Sequence, residues 1–314
     1  MVENENVKIV DLFAGIGGIR RGFENAFGKK NIMCVMSSEW DKYAVQTYLA
    51  NYPNETVRGD LTKIDENDVP DHNILMAGFP CQPFSQAGLK KGFDDTRGTL
   101  FFDILRILRK KKPDVVLLEN VKRLKSHDKG KTLEVIKSSL IEIGYENMYI
   151  QVLRARDFGL PQNRERIFIV AFKDPKRKFN FPKPNGQETR VGDILEDNVD
   201  EKYTISDKLW SGHKKRKKKN TLMGRGFGYG IVDKNSSYTN TISARYYKDG
   251  SEILIDQNNS NPRKLTPREA ARLQGFPDSF KIPVSDNQAY RQFGNSVAVN
   301  VIEAIAREMK KSLL

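Results

Sequence analysis

The opening of the chain restricts its fold more than any other stretch. Residues 8–13, KIVDLF, form an apolar run of strand length. Residues 14–18, AGIGG, follow as a tight turn, and Ile19, Phe23 and Phe27 then recur every four residues on one helical face. Strand, glycine turn and helix in that order open a nucleotide-type α/β fold. The glycine spacing is not G-x-G-x-x-G and no phosphate-binding lysine follows the turn, so a phosphate cradle is not indicated. The turn instead suits a nucleoside whose atoms come close to the backbone.

Residues 33–36 predict a second strand, ending near Glu39 and Trp40. In such folds an acid about twenty positions past the turn hydrogen-bonds ribose hydroxyls, and an adjoining Trp offers a flat face to a purine. Residues 56–60 predict a third strand ending on Asp60, whose carboxylate could accept a bond from an adenine amino group. A helix N-cap is the structural alternative for both acids. The apolar residues 74–77 then lead into Gly78-Phe79-Pro80-Cys81-Gln82-Pro83-Phe84-Ser85. Ligands in open α/β sheets bind beyond the carboxyl ends of the strands, so a thiol at this strand end is a candidate nucleophile. A small buried residue beside a proline turn is the bland alternative. Residues 86–97, with Gly88 and Gly92 among charges, predict a loop that closes like a lid.

Residues 114–120, DVVLLEN, predict a central parallel strand buried on both faces and ended by Glu119. If it neighbours the fourth strand, Cys81 and Glu119 face one crevice. Burial would then raise the pKa of the acid and let it serve as a proton donor. Residues 145–172 read as two strands around a turn at 159–161. In the second strand Gln162, Arg164 and Arg166 alternate on one face, where two arginines suit a phosphate or a base oxygen.

After Phe172 the periodicity fades into a Lys-, Pro- and Asn-rich linker. Residues 213–219, HKKRKKK, read as a solvated loop that would track phosphates next to DNA. Residues 224–230, GRGFGYG, and 241–250, TISARYYKDG, read as short strands and turns presenting Arg, Tyr and Lys to base edges. Val297, Val301, Ile305 and Met309 predict an amphipathic helix whose apolar face needs the first domain's core. The expected organisation is a catalytic, cofactor-binding domain over 1–172 and 287–314. A smaller, mainly β or irregular domain over 173–286 is inserted in it.

Lys and Arg number 53 against 40 Asp and Glu, a net charge of +13 that would attract a polyanion such as nucleic acid. The two cysteines, Cys34 and Cys81, and three histidines give neither a disulfide framework nor a metal site. No apolar leader and no apolar run of membrane-spanning length is present, so a cytoplasmic protein without membrane contact is expected.

Six stretches, in order, resemble the bacterial DNA (cytosine-5)-methyltransferases of restriction–modification systems. They are residues 11–18 (DLFAGIGG), 78–85 (GFPCQPFS), 119–121 (ENV), 162–166 (QNRER), 263–280 (RKLTPREAARLQGFPDSF) and 288–297 (QAYRQFGNSV). The resemblance implies a Rossmann-like S-adenosylmethionine methyltransferase sheet with helices on both faces. It also implies double-stranded DNA as substrate. Cys81 would add to C6 of a flipped-out cytosine, Glu119 would hold its N3 and amino group, Arg166 would contact O2, and Arg164 would brace the Cys81 loop or a phosphate. Phe13 and Trp40 would sandwich the adenine of the methyl donor, Glu39 would hold its ribose and Asp60 its amino group. Gly15, Gly17 and Gly18 would admit the methionine part, and Leu61, Pro80, Leu100, Asn295, Ser296 and Val297 would complete that site. The inserted domain would be the target-recognition region, similar in its GFGYG and TISARYYKDGSEILID stretches to members that modify CCNGG or CCWGG sites. DNA contacts are then expected from Gln82, Ser85, Arg225, Tyr229, Thr241, Ser243, Arg245, Tyr246 and Lys248. No metal is implied. A monomer is expected, with a cognate restriction endonuclease acting separately. Two other readings are an RNA cytosine-5 methyltransferase and a catalytically silent DNA-binding relative. The developed insert weighs against the first, and the presence of both Cys81 and Glu119 against the second.

Overall fold

A computed structural model describes residues 6–80, 100–258 and 260–313. Cys81, Gln82, Ser85 and the expected lid lie outside these residues. The chain divides into two compact units. The first comprises Met1–Leu153, Glu165–Lys183 and Val301–Leu314, and the second Arg154–Arg164 and Pro184–Asn300.

The first unit is built on a sheet that, among the described residues, has seven strands: β1 (Val7–Leu12), β2 (Ile32–Ser38), β3 (Val57–Arg58), β4 (Ile74–Gly78), β5 (Val115–Val121), β6 (Asn147–Arg154) and β7 (Glu165–Phe172). Their order is β3-β2-β1-β4-β5-β7-β6. The β3, β2, β1, β4 and β5 neighbours pair in parallel, and β7 runs antiparallel to β5. The order reverses between β1 and β4, so the crevice beyond their carboxyl ends is where such a sheet takes a ligand.

The period-2 alternation sorts the strand residues between two buried faces. Val10, Leu12, Leu75, Ala77, Val116 and Leu118 join Ile104 and Leu108 of α3 (Leu100–Lys111) and Ile136 and Leu140 of α4 (Lys131–Glu142) in one core. Ile9, Ile74, Met76, Val115 and Leu117, on the other face, are fully buried. Helix α1 (Gly18–Phe27) packs on β2 and β4, with Ile19, Phe23 and Phe27 buried as their spacing requires. Helix α2 (Lys42–Asn51) starts where Asp41 caps it by accepting the Tyr43 and Ala44 N–H groups.

Five sequence expectations change here. The segment after Phe172 stays with the first unit to Lys183, because Phe179 packs on Tyr149 and Phe172. Strand β7 begins at Glu165, so Gln162 and Arg164 precede it and belong to the second unit. The basic run is no loop: it lies inside α5 (Asp207–Leu222), capped by Ser206. The second unit is helical and irregular rather than mainly β. Its strands β8 (Ile231–Val232) and β9 (Leu254–Ile255) have two residues each. Beside α5 it carries α6 (Tyr246–Asp249), α7 (Pro267–Leu273) and α8 (Asp286–Asn295). Aromatic packing of Tyr290 on Tyr246, and of Phe293 on Phe276 and Phe280, ties α8 into this unit. The return to the first unit therefore comes at Val301, inside the last helix α9 (Val299–Leu313), and not at residue 287 as expected.

Candidate active site

The glycine turn after β1 is left-handed at Phe13 (φ 56°), Gly15 (φ 56°) and Gly17 (φ 84°). Such a φ is uncommon for a phenylalanine and marks a backbone held against its preference. A side chain at Gly17 would strike the Tyr52 ring at 2.7 Å, whereas one at Gly15 would meet nothing within 4 Å. The turn is thus packed from behind at Gly17 and open at Gly15, as a backbone approached by a ligand requires.

Glu39, just past the end of β2, fixes this turn. Its Oε2 accepts the Gly15 N–H at 2.9 Å, and its Oε1 accepts the N–H groups of Trp40 and Asp41 at 2.9 and 2.8 Å. Burial pushes the Glu39 carboxyl above the usual range, against those three bonds. Trp40 beside it is 80% exposed, a flat aromatic face open to solvent. Asp60 accepts the backbone N–H and the hydroxyl of Thr62, both on Oδ1, and these bonds hold its carboxyl below the usual range. It therefore acts as the N-cap of the turn Leu61–Lys63, the structural alternative for this residue. Leu61 is buried, Leu100 opens α3 half-buried, and Pro80 is exposed at the last described position after β4. A strained open turn, an anchored carboxylate and an exposed indole converge on the β1–β2 end of the sheet. This donor set fits a nucleoside carrying a compact charged tail, as S-adenosylmethionine does.

The second cluster lies where β4 and β5 end. Gly78 stands opposite Glu119 in their parallel register. From the other side β7 sets Val121 opposite Arg166. The Arg166 Nε reaches Glu119 Oε1 at 3.1 Å, with side chains 17% and 11% exposed. Arg166 also donates through Nη1 to the Glu165 carbonyl at 2.8 Å. Burial lowers the Arg166 pKa, opposed by the neighbouring Glu119 charge.

Sequence reasoning gave Asn120 no role. It is buried, and its Nδ2 donates to the Phe79 carbonyl at 2.9 Å while its Oδ1 accepts the Val121 N–H at 2.8 Å. One amide side chain thus continues the β4–β5 connection past the last paired residues, two positions before Cys81. The signal was a polar residue at the end of an apolar strand. Asp11, also given no role, is fully buried on β1, and neither carboxylate oxygen has a hydrogen-bond partner among the described residues. Burial raises its pKa to about 7, against the pull of Arg20.

The remaining expected residues belong to the second unit. Arg164 donates to the carbonyls of Ile242 and Gly294 at 3.1 Å each, and to that of Ser296. It is thus a brace for the chain around Asn295, Ser296 and Val297. Gln162 is buried and joins the Leu273 carbonyl, the Gln274 side chain and the Ile242 N–H. Arg225, Arg245 and Lys248 are exposed. The Tyr229 ring packs on Trp210, Thr241 donates to the Asn163 carbonyl, and Ser243 bonds Glu252. Tyr246 departs from the expectation of a base-reading residue. It is fully buried, its hydroxyl donates to the Ile253 carbonyl and accepts the Leu265 N–H, and so it is core. Among the described residues no group of His, Cys, Asp and Glu could hold a metal ion, and no helix is long and apolar enough to cross a membrane.

Known proteins match this arrangement along nearly the whole chain. The family described as C-5 cytosine-specific DNA methylase matches residues 7–311. The type II methyltransferase M.NlaX of Neisseria lactamica is 69% identical over 98% of this chain and 97% of its own length. The type II methyltransferase M.SsoII of Shigella sonnei is 61% identical over 99% of this chain and 82% of its own. The solved S. pombe Dnmt2 methyltransferase shares the fold, with a TM-score of 0.81 at 22% identity over 98% of this chain and 99% of that one. The chain belongs to the C-5 cytosine-specific DNA methylases, enzymes that transfer a methyl group from S-adenosylmethionine to C5 of cytosine in DNA.

Proposed function

We propose that Cys81 is the nucleophile of this methyl transfer and that Glu119 and Arg166 hold the target base. The observation that carries this reading is the Glu119–Arg166 pair, level with Gly78 at the end of the strand that runs on to Cys81. A thiolate adding to C6 of cytosine pushes electron density to C5, which can then take the methyl group. Loss of the C5 proton and departure of the thiolate restore the ring. Glu119 would bond N3 and the amino group of the flipped base, and Arg166 its O2, so charge developing on the ring meets a prepared acid and cation. The methyl donor supplies an electrophilic methyl group. The residues assigned to holding it are Phe13, Gly15, Gly17, Gly18, Glu39, Trp40, Asp60, Leu61, Pro80 and Leu100, with Asn295, Ser296 and Val297 assigned on the resemblance alone.

The second unit is read as the target-recognition region, with Arg225, Tyr229, Thr241, Ser243, Arg245 and Lys248 toward DNA, together with Gln82 and Ser85. A CCNGG- or CCWGG-like target is supported by the stretches 226–230 and 241–256 and by 61–69% identity to type II methyltransferases. Protection of DNA against a separate cognate endonuclease, by a cytoplasmic monomer, completes the reading.

The test uses tritiated S-adenosylmethionine, plasmid DNA and bisulfite mapping. Label should enter cytosines of one short sequence and fall at least about 10³-fold in Cys81→Ser. Equal labelling by that variant would sink the assignment. Duplexes with 5-fluorocytosine at the target should form a denaturation-stable adduct only with the methyl donor present, because fluorine cannot leave as a proton does.

A further inference from the structure

We propose that the outward face of α5 grips the phosphates of duplex DNA outside the recognition sequence. Successive helix residues turn by about 100°, which sorts α5 into two faces. Toward the unit lie His213, Arg216 and Asn220. His213 is buried and meets the Asp249 carbonyl and the Arg216 guanidinium. Arg216 donates to the Gly228 carbonyl and pairs with Asp249 at 2.9 Å, and Asn220 donates to the Phe227 carbonyl. At the edge, Lys217 lies over the Tyr229 ring at 4.3 Å. The helix is therefore fastened to the loop 224–230 and to Asp249 by its own polar residues.

The opposite face carries Lys214, Lys215, Lys218 and Lys219, all exposed. Their spacing sets like charges three and four residues apart, which weakens a helix. No carboxylate pairs with them among the described residues, whereas Arg216, within the same run, has Asp249. Lys214 lies over the Trp210 ring at 5.3 Å, and a face that accepts self-repulsion with no carboxylate partner among the described residues fits a polyanion. Regularly spaced phosphates supply that charge without sequence. Four lysines on flexible stems suit them, since a lysine binds phosphate as a point charge.

This inference rests on the reading that the loops fastened to α5 face DNA. It adds that the target is held by a separate, sequence-independent contact on the flanking duplex. Binding is measured for Lys214/Lys215/Lys218/Lys219→Gln and the parent, with S-adenosylhomocysteine present, from about 50 to 200 mM salt. One duplex extends a helical turn beyond the mapped site on each side, and the other ends at the site. On the long duplex the variant's log–log salt slope should fall by about 2–4, since each neutralised phosphate contributes about 0.9. Affinity there should drop at least tenfold near physiological salt. On the short duplex both proteins should bind alike, and the methylation rate on saturating DNA should be unchanged. An unchanged slope on the long duplex overturns the proposal, and so does equal loss on both. Failure of the underlying reading looks different, since the parent protein would then put no label on DNA.

Discussion

In the first unit the Arg166 Nε lies 3.1 Å from Glu119 Oε1; in the second, Arg263 donates through two nitrogens to both oxygens of Glu269 at 2.7 and 2.8 Å. Glu269 is fully buried and also accepts the N–H groups of Thr266 and Glu196. Four donors saturate it. Its reciprocal bonds with Thr266 form the capping box that starts α7, with Pro267 in the first turn. Glu119 and Arg166 keep partial exposure at the end of a strand, beside the chain that leads to the thiol. The same two residue types thus make a closed joint in one place and an addressable acid–cation pair in the other. The difference is exposure: Glu269 is fully buried, whereas the Glu119 and Arg166 side chains are 11% and 17% exposed.

That contrast predicts opposite phenotypes. Glu119→Gln should cut kcat by about 10²–10⁴ with little change in the urea midpoint, because a transition-state contact is lost while the strand register stays. Arg263→Ala should leave Glu269 charged and unpaired in the interior, at a cost of about 3–5 kcal/mol. The methylation rate per folded molecule should hold near the parent value. Comparing urea unfolding with single-turnover methylation checks both variants. If Glu119→Gln unfolds and Arg263→Ala only slows chemistry, the distinction between the two pairs is wrong.

Asp11 offers a third buried carboxyl, with no hydrogen-bond partner among the described residues. Its pKa of about 7 lies above its ordinary 3.8, so the folded state binds the proton more tightly than the unfolded chain. The stability this contributes is fully present below about pH 4 and is lost as the pH rises through about 7. A shift of about three units corresponds to at most about 4 kcal/mol over that window. Asp11→Asn cannot ionise, so its stability relative to the parent should climb from pH 4 to 7 and then level off. Urea melts across that range measure it, and parallel curves for the two proteins would refute the assignment.

The residues of the glycine turn were legible because local sequence determines them: an apolar run made β1, glycines made the turn, and the i, i+4 stripe made α1. The neighbouring of β4 and β5 was legible only as a condition, since pairing between distant strands leaves no local trace. The basic run was misread for a related reason. Lysines repel one another but have good helix propensity, and Arg216 and His213 supply an anchor through Gly228 and Asp249, residues that local pattern does not bring to them. Tyr246 was misread as a reader of bases because composition shows an aromatic and not its burial. The boundary at 154–164 was missed since Gln162 and Arg164 find their partners about eighty or more positions downstream, at Ile242, Leu273 and Gly294.

The smallest effect should come from Asn120, which takes part in neither ion pair yet joins the strands that carry Glu119 and Cys81. Its amide nitrogen is the donor that the Phe79 carbonyl uses. Asn120→Ala leaves that buried carbonyl without this bond, at a cost of about 1–3 kcal/mol. Asn120→Asp keeps the shape and sets a carboxylate oxygen against the carbonyl, so it should rescue nothing. If the amide sets the distance between the thiol loop and the acid, both variants should lower the single-turnover rate by about 10- to 100-fold, with DNA affinity nearly unchanged. A purely structural bond would lower stability alone, with the rate per folded molecule intact. That outcome would confine the addressable half of the comparison to Glu119 and Arg166.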